Sequence, residues 1–376
     1  MARKKCGHYS GIGGQAVLEG VMMKNKEKYA VAVRKPDGGI AVNVETHKGI
    51  LEGKKVKDIP FIRGIFNFVD SLILGTKVLN YSASFYETEE DSGLEKAADK
   101  VSGGKGESLI NTLVTIFAVL LAVGIFIVLP YFVGAFFEGF IRNRSLMAII
   151  EGVIRIAIFL LYVSAISLMK DIRRLYRYHG AEHKCINCLE RGRTLNVRNV
   201  MRSSRLHKRC GTSFIFFVLI VSIVLFFFIR VDNVFYKVGL RILLMPVVAG
   251  ISYELIRLAG RSDNFLVNLL SAPGMLIQRL TTKEPDEEMV EVAIASIEAV
   301  FDWKAYLKAE YGYQVDGDEQ KNVPETEEEN HESEVSKTEG EDIEFEIIDL
   351  DDEEPETYVM EDDTKAEDSE SDKEEA

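Results

Sequence analysis

Four stretches of this chain are long and apolar enough to cross a lipid bilayer: roughly Leu109–Phe132, Leu146–Met169, Thr212–Ile229 and Val238–Leu258. A spanning helix needs about 20 mostly apolar residues, because lipid offers no partner to a backbone N–H or C=O and a helix satisfies both internally. That requirement sets the fold class: a mainly α polytopic membrane protein with about four transmembrane helices. The second stretch carries Glu151 and Arg155, spaced i,i+4 near its outer end, where each charge can offset the other. A fifth apolar stretch, Phe61–Phe85, is interrupted by Arg63, Asn67, Asp70 and Lys77 and reads as an amphipathic or interfacial helix.

Charge sets the orientation. Between the second and third stretches, Lys170–Cys210 holds twelve Lys and Arg against Asp171, Glu182 and Glu190. Such an excess marks a cytoplasmic loop, and an even number of spans then brings both termini to the cytoplasm. The start, MARKKCGHYSGIGGQ, lacks the apolar core of a secretory signal. Cysteines on the cytosolic side are thiols or metal ligands rather than disulfides.

The basic loop contains His179-Gly-Ala-Glu182-His183, an H-x-x-E-H pattern. On a helix, residues i and i+4 share a face, so both imidazoles can reach one divalent ion, with zinc the expected metal. Glu182, beside them, could act as general base toward an attacking water, the arrangement of an inverted zincin. A catalytic centre needs one further protein ligand and an open position; Glu254, His207 and Cys210 are the candidates. A closed alternative competes for two of these residues. Cys185-x2-Cys188 and His207-x2-Cys210 form a C-x2-C-x18-H-x2-C pattern that could hold a structural zinc.

The soluble parts flank the membrane domain. Residues 1–60 read as a cytoplasmic β-containing cap: Tyr29–Arg34 and Ile40–Thr46 surround the turn Pro36-Asp-Gly-Gly39, a hairpin signal. Ahead of it, Gly11–Met23 is glycine-rich and carries Gln15 and Glu19 as further candidate site residues. Its glycines admit close approach by a ligand, or serve a tight turn into a buried strand. Residues 61–108 are the interfacial helix and a linker, and 109–258 the membrane domain with its metal-site loop at 170–211. Residues 259–313 are expected as cytoplasmic amphipathic helices. There Ser271-Ala-Pro-Gly274 reads as a turn, and Met275–Leu280 and Asp286–Leu307 as helices, the second started by Pro285 and packed on the cap. Residues 314–376 form an acidic tail. From 315 onward it holds 29 Asp and Glu against four Lys, a net of −25, so a chain of overall charge −14 has a body of +11. With so little to bury, the tail is expected to be disordered.

Several separated motifs stand in one order: Gly13-Gly-Gln-Ala-Val-Leu-Glu-Gly-Val-Met-Met23, Tyr178-His-Gly-Ala-Glu-His-Lys184, Arg209-Cys-Gly-Thr-Ser-Phe214, Ser252-Tyr-Glu-Leu255, and Pro273-Gly followed by Leu280-Thr-Thr-Lys-Glu-Pro285. In these the chain resembles the YqhQ-like family of bacterial membrane proteins over about residues 8–305. The resemblance implies a multi-pass protein of the bacterial inner membrane and a metal-dependent enzyme. Cys185 and Cys188 depart from the family's pattern, as does Lys208 where proline is expected. His179, Glu182, His183, His207 and Cys210 are the residues the resemblance transfers. The function expected is metal-dependent hydrolysis at the cytoplasmic membrane surface, with membrane lipids as surroundings and a membrane protein, a peptide or a lipid-linked bond as substrate, and no nucleic acid. The alternative is a non-catalytic membrane scaffold or regulator with a structural zinc.

Overall fold

The computed structural model describes residues 8–312, apart from 54–58, 87–105, 138–139, 142, 230, 232 and 261–263. The acidic tail, for which disorder is expected, lies outside the described residues.

The N-terminal segment is a four-stranded antiparallel meander: β1 Ile12–Val17, β2 Gly20–Asn25, β3 Lys28–Arg34 and β4 Ile40–Thr46. The hairpin signal around Pro36–Gly39 is β3–β4, with Arg34 opposite Ile40. The glycine-rich segment is a second hairpin, β1–β2, which turns at Leu18–Glu19 with Glu19 at φ 50°.

Both faces of the sheet are covered. Val17, Met22, Tyr29, Val31 and Val33 pack against Leu74 and Val78 of helix α1, Ile62–Ala83. Ile12, Val21, Met23 and Ala32 pack on the opposite face into a core with α5, Lys170–Glu190, and α10, Glu287–Glu298. Alternating side chains of one strand thus feed two cores, as the two-residue period of a strand requires.

Three helical segments are long and apolar enough to cross a membrane: Thr112–Ala135, Ser145–Ser167 and Val234–Ala259. The first is composite: α2 Gly106–Val123, a π-helical turn Gly124–Val128, and α3 Leu129–Ala135. Pro130 cannot donate to a carbonyl one turn back, and the widened turn lies just before it. The others are α4, Arg144–Ser167, and α8, Val234–Ala259, begun by Asn143 and Asn233, whose side chains accept from the first free N–H groups. A fourth apolar helix, α7 Gly211–Phe227, has 17 residues.

The ion pair in α4 has a third member. Glu151 accepts from Arg155 at 3.4 Å and from both terminal nitrogens of Arg241 on α8, the second at 2.8 Å. Arg155 also donates to Ser222 of α7 at 3.1 Å, and both guanidinium groups lie within 5.3 Å of the Phe226 ring centre. Three helices are therefore tied at the end remote from His179.

Two helix boundaries differ from the sequence reading. Ser271–Gly274 is not a turn: α9 runs Phe265–Thr281 straight through Pro273. Tertiary anchoring outweighs the lost N–H here, because fully buried Gln278 bonds His207 and Ser213, and Gly274 sits tight against Ser213. Asp286–Leu307 is two helices, α10 and α11 (Trp303–Tyr311). Asp286 caps α10 at Met289 N–H, so Pro285 precedes the cap, and Asp302 caps α11 at Ala305 N–H. The short helix α6, Val197–Met201, lies between α5 and α7.

Candidate metal centre

His179 and His183 lie one turn apart on α5, with ring centroids 4.4 Å apart. The loop after α5 returns Cys210 to this face as the N-cap residue of α7. His179, His183 and Cys210 each offer one ligand atom, all within 4.8 Å of one another. Among the described residues this is the one such group of three or more.

The ring orientations suit a metal. His179 Nδ1 lies 2.9 Å from the Thr281 carbonyl, and His183 Nδ1 lies 2.6 Å from the Arg205 carbonyl. A carbonyl only accepts, so each Nδ1 carries a proton and each Nε2 is the nitrogen left to face a ligand. His179 Nε2 points at Cys210 Sγ, 3.2 Å away. Histidine metal ligands are held in the same way, with the distal N–H given to a carbonyl or carboxylate.

The electrostatics agree with this arrangement. Burial alone would raise the Cys210 thiol, but the two histidines bring it well below its ordinary value. Burial alone would lower His179, but the Cys210 thiolate and Glu182 lift it to about 9. One proton thus sits between a thiolate and an imidazole, where a divalent ion can replace it. Burial raises the Glu182 carboxyl, and the two histidines only partly oppose this. Its Oε2 is buried with no hydrogen-bond partner. A buried orphan acceptor costs about 1–3 kcal/mol, so its retention points to a ligand or a role.

Two close approaches build the walls. A Cβ on Gly180 would lie 2.0 Å from the Lys283 carbonyl oxygen, so the second motif position must be glycine for the segment after α9 to pass. The last residue of α9, Thr281, supplies the carbonyl that orients His179. On the other side, a Cβ on Gly14 would lie 2.8 Å from the Glu182 carboxyl group. The β1 backbone therefore rests directly on Glu182.

The remaining candidates lie elsewhere. Glu254 does not complete the cluster. Arg63 of α1 holds it in a two-point ion pair, Nε at 2.7 Å and a terminal nitrogen at 2.5 Å, which fastens α1 to α8. His207 stands behind His183, with centroids 5.6 Å apart, but its ring faces Glu190 at 3.5 Å. Burial pushes Glu190 up, yet His207, Arg209 and the Ser10 N–H hold it at about 2. Gln15 turns away from the cluster to the α1 face, over Gly75. Glu19 pairs with Arg174 and accepts from the Tyr178 hydroxyl at 3.2 Å. Cys185 and Cys188 are free thiols in the core between α5 and the sheet. Burial pushes Cys188 up to about 12 and Cys185 well above its ordinary value. The C-x2-C-x18-H-x2-C knuckle is therefore not assembled: the apolar faces of α5 and the sheet claim both cysteines before a metal could.

The sequence reading gave no role to Thr281, Arg205 or Gln278, and placed Gly14 only within a glycine-rich stretch that admits close approach. Two of these act through main-chain carbonyls, which no residue type announces. Gln278 had a signal, as a lone amide on the apolar side of a helical pattern.

A mainly helical chain with membrane-length helices, a capping sheet and a His–His–Cys cluster is thus defined. It belongs to the family described as Protein of unknown function (DUF1385), which matches residues 59–303. It is 38% identical over 287 residues to Uncharacterized protein YqhQ of Bacillus subtilis (strain 168), a match covering 76% of this chain and 90% of that relative. No solved structure matches the chain.

Proposed function

We propose that this protein is a metal-dependent hydrolase working at the cytoplasmic surface of the bacterial inner membrane. His179, His183 and Cys210 would hold a divalent ion, zinc being the best match to two imidazoles and a thiolate. The observation that carries the reading is the orphaned Glu182 Oε2 beside that three-donor group. Three ligands leave a position open, and the metal when bound supplies Lewis acidity there. Glu182 takes the proton of the attacking water and later returns it to the leaving group. The Thr281 and Arg205 carbonyls keep both imidazoles in the ligating tautomer, and the β1 backbone shields Glu182 from bulk water.

Metal analysis tests the centre. Purified full-length protein is expected to hold about one equivalent of metal per chain, and His179→Ala/His183→Ala or Cys210→Ser to lose it. Equal metal content in wild type and the double-histidine variant would remove the proposal.

The membrane arrangement in this reading has four crossings. The sheet, α5 and α10 share one core, so the N-terminal cap and the histidine helix lie on one side. From that side, the composite first segment leaves, α4 returns, α7 leaves and α8 returns. At 17 residues, α7 reaches about 26 Å, enough for a slightly thinned bilayer. The twelve basic residues of 170–210 support the cytoplasm as the shared side. A reporter at Arg193 should read cytoplasmic and one at Asn143 external; the reverse would overturn the orientation.

A further inference from the structure

The sheet presents one of its edges beside this centre. β1 is an outer strand, paired only with β2. The hairpin closes with Val17 opposite Gly20, and narrow, mutually bonded pairs alternate from there: Val17 with Gly20, Gln15 with Met22, Gly13 with Lys24. Ile12, Gly14 and Ala16 therefore direct their N–H and C=O groups away from the sheet. Ile12 N–H is taken by Ser10 Oγ at 3.3 Å. Among the described residues, the main chains of Gly14 and Ala16 have no hydrogen-bond partner. Gly13 and Gly14 are exposed, and without side chains they leave the edge open. The face of this strand at Gly14 rests on the Glu182 carboxyl group, with Oε1 as the nearer oxygen, and the unpaired Oε2 is buried.

We infer that this edge is the substrate platform: an extended polypeptide segment adds beside β1 as a further strand. It pairs its main chain with Gly14 and Ala16 and runs alongside the strand that packs on Glu182. The inference rests on the hydrolase reading and names its substrate class. Outward N–H and C=O groups repeating every second residue match the alternating acceptors and donors of another extended backbone, whereas a lipid phosphate only accepts. In this mode of recognition the main chain supplies affinity, and side-chain subsites supply preference. An unpaired, glycine-rich edge is otherwise a liability that proteins cover or charge. The reaction is peptide hydrolysis: the water oxygen bonds to the scissile carbonyl carbon, the C–N bond breaks, and Glu182 passes the water's proton to the departing amine.

The test is amide hydrogen exchange on full-length, metal-loaded Glu182→Gln protein, which binds without turnover. The probe is a mixture of random-sequence decapeptides, and the reference is the same mixture methylated at every backbone nitrogen. Exchange at Gly14 and Ala16 is expected to slow at least about fivefold with the unmethylated mixture and to stay unchanged with the methylated one. Gly13 and Gln15, already bonded to β2, serve as internal standards. Unchanged exchange at Gly14 and Ala16, or equal slowing by both mixtures, would overturn the platform. The hydrolase reading fails separately, through metal content and the activity of Glu182→Gln.

Discussion

Glu182→Gln is expected to keep its metal and its fold and to lose at least about a hundredfold in activity, the usual contribution of a positioned general base. The substitution changes almost no volume. Glu182 is not among the three side chains proposed to hold the ion, so the metal should remain at about one equivalent per chain. Nor does folding depend on its charge. Burial already disfavours the carboxylate, and Oε2 gives up no hydrogen bond on becoming an amide, so stability should hold or rise slightly. The two halves of the result must appear together. Metal analysis of the purified variant gives one, and complementation of a strain lacking the corresponding gene gives the other. A variant that binds metal and complements fully would leave Glu182 without a chemical role, and the centre would then be structural.

What the sequence disclosed, it disclosed through periodicity. Apolar runs of membrane length marked the long helices, and the i,i+4 spacing brought His179 and His183 onto one face. The third ligand could not be ranked, because Glu254, His207 and Cys210 are separated from the motif by loops whose course depends on packing. Arg63 decides against Glu254 and Glu190 diverts His207, and both partners lie in other elements. The cysteine pair misled for a related reason. C-x2-C is a metal spacing, but on a helix with one apolar face the same spacing buries both thiols in a core. Arg241 was hidden inside an apolar run, where composition dilutes one charge among many aliphatic neighbours. Proline and glycine at 273–274 signalled a turn that the Gln278 anchor overrules. Local chemistry set the elements, and contacts between elements chose among the candidate ligands.

Glu151→Gln should destabilise the membrane domain by about 3–5 kcal/mol, the usual cost of breaking a buried ion pair by removing one partner. Glu151 is the one acid that both Arg155 and Arg241 bond, and all three side chains are at least nine-tenths buried. The Nε atoms of both arginines already lack partners, so they have no reserve of hydrogen bonds to redirect. An amide in place of the carboxylate would leave two guanidinium charges facing each other around Phe226, in a region where water cannot screen them. Thermal unfolding in detergent and the amount of protein accumulating in the membrane both read this loss. The control separates charge from shape: Glu151→Leu/Arg155→Met/Arg241→Met removes the whole triad at similar volume and should recover most of the stability, since apolar packing can replace a buried ion cluster. A single Glu151→Gln variant as stable as wild type would show that solvent reaches the triad, and the three helices would then be held by apolar contact alone. Recovery by the triple variant, with metal content unchanged, would show that the charges fasten the end of the bundle remote from His179 and take no part in the chemistry proposed at the other end.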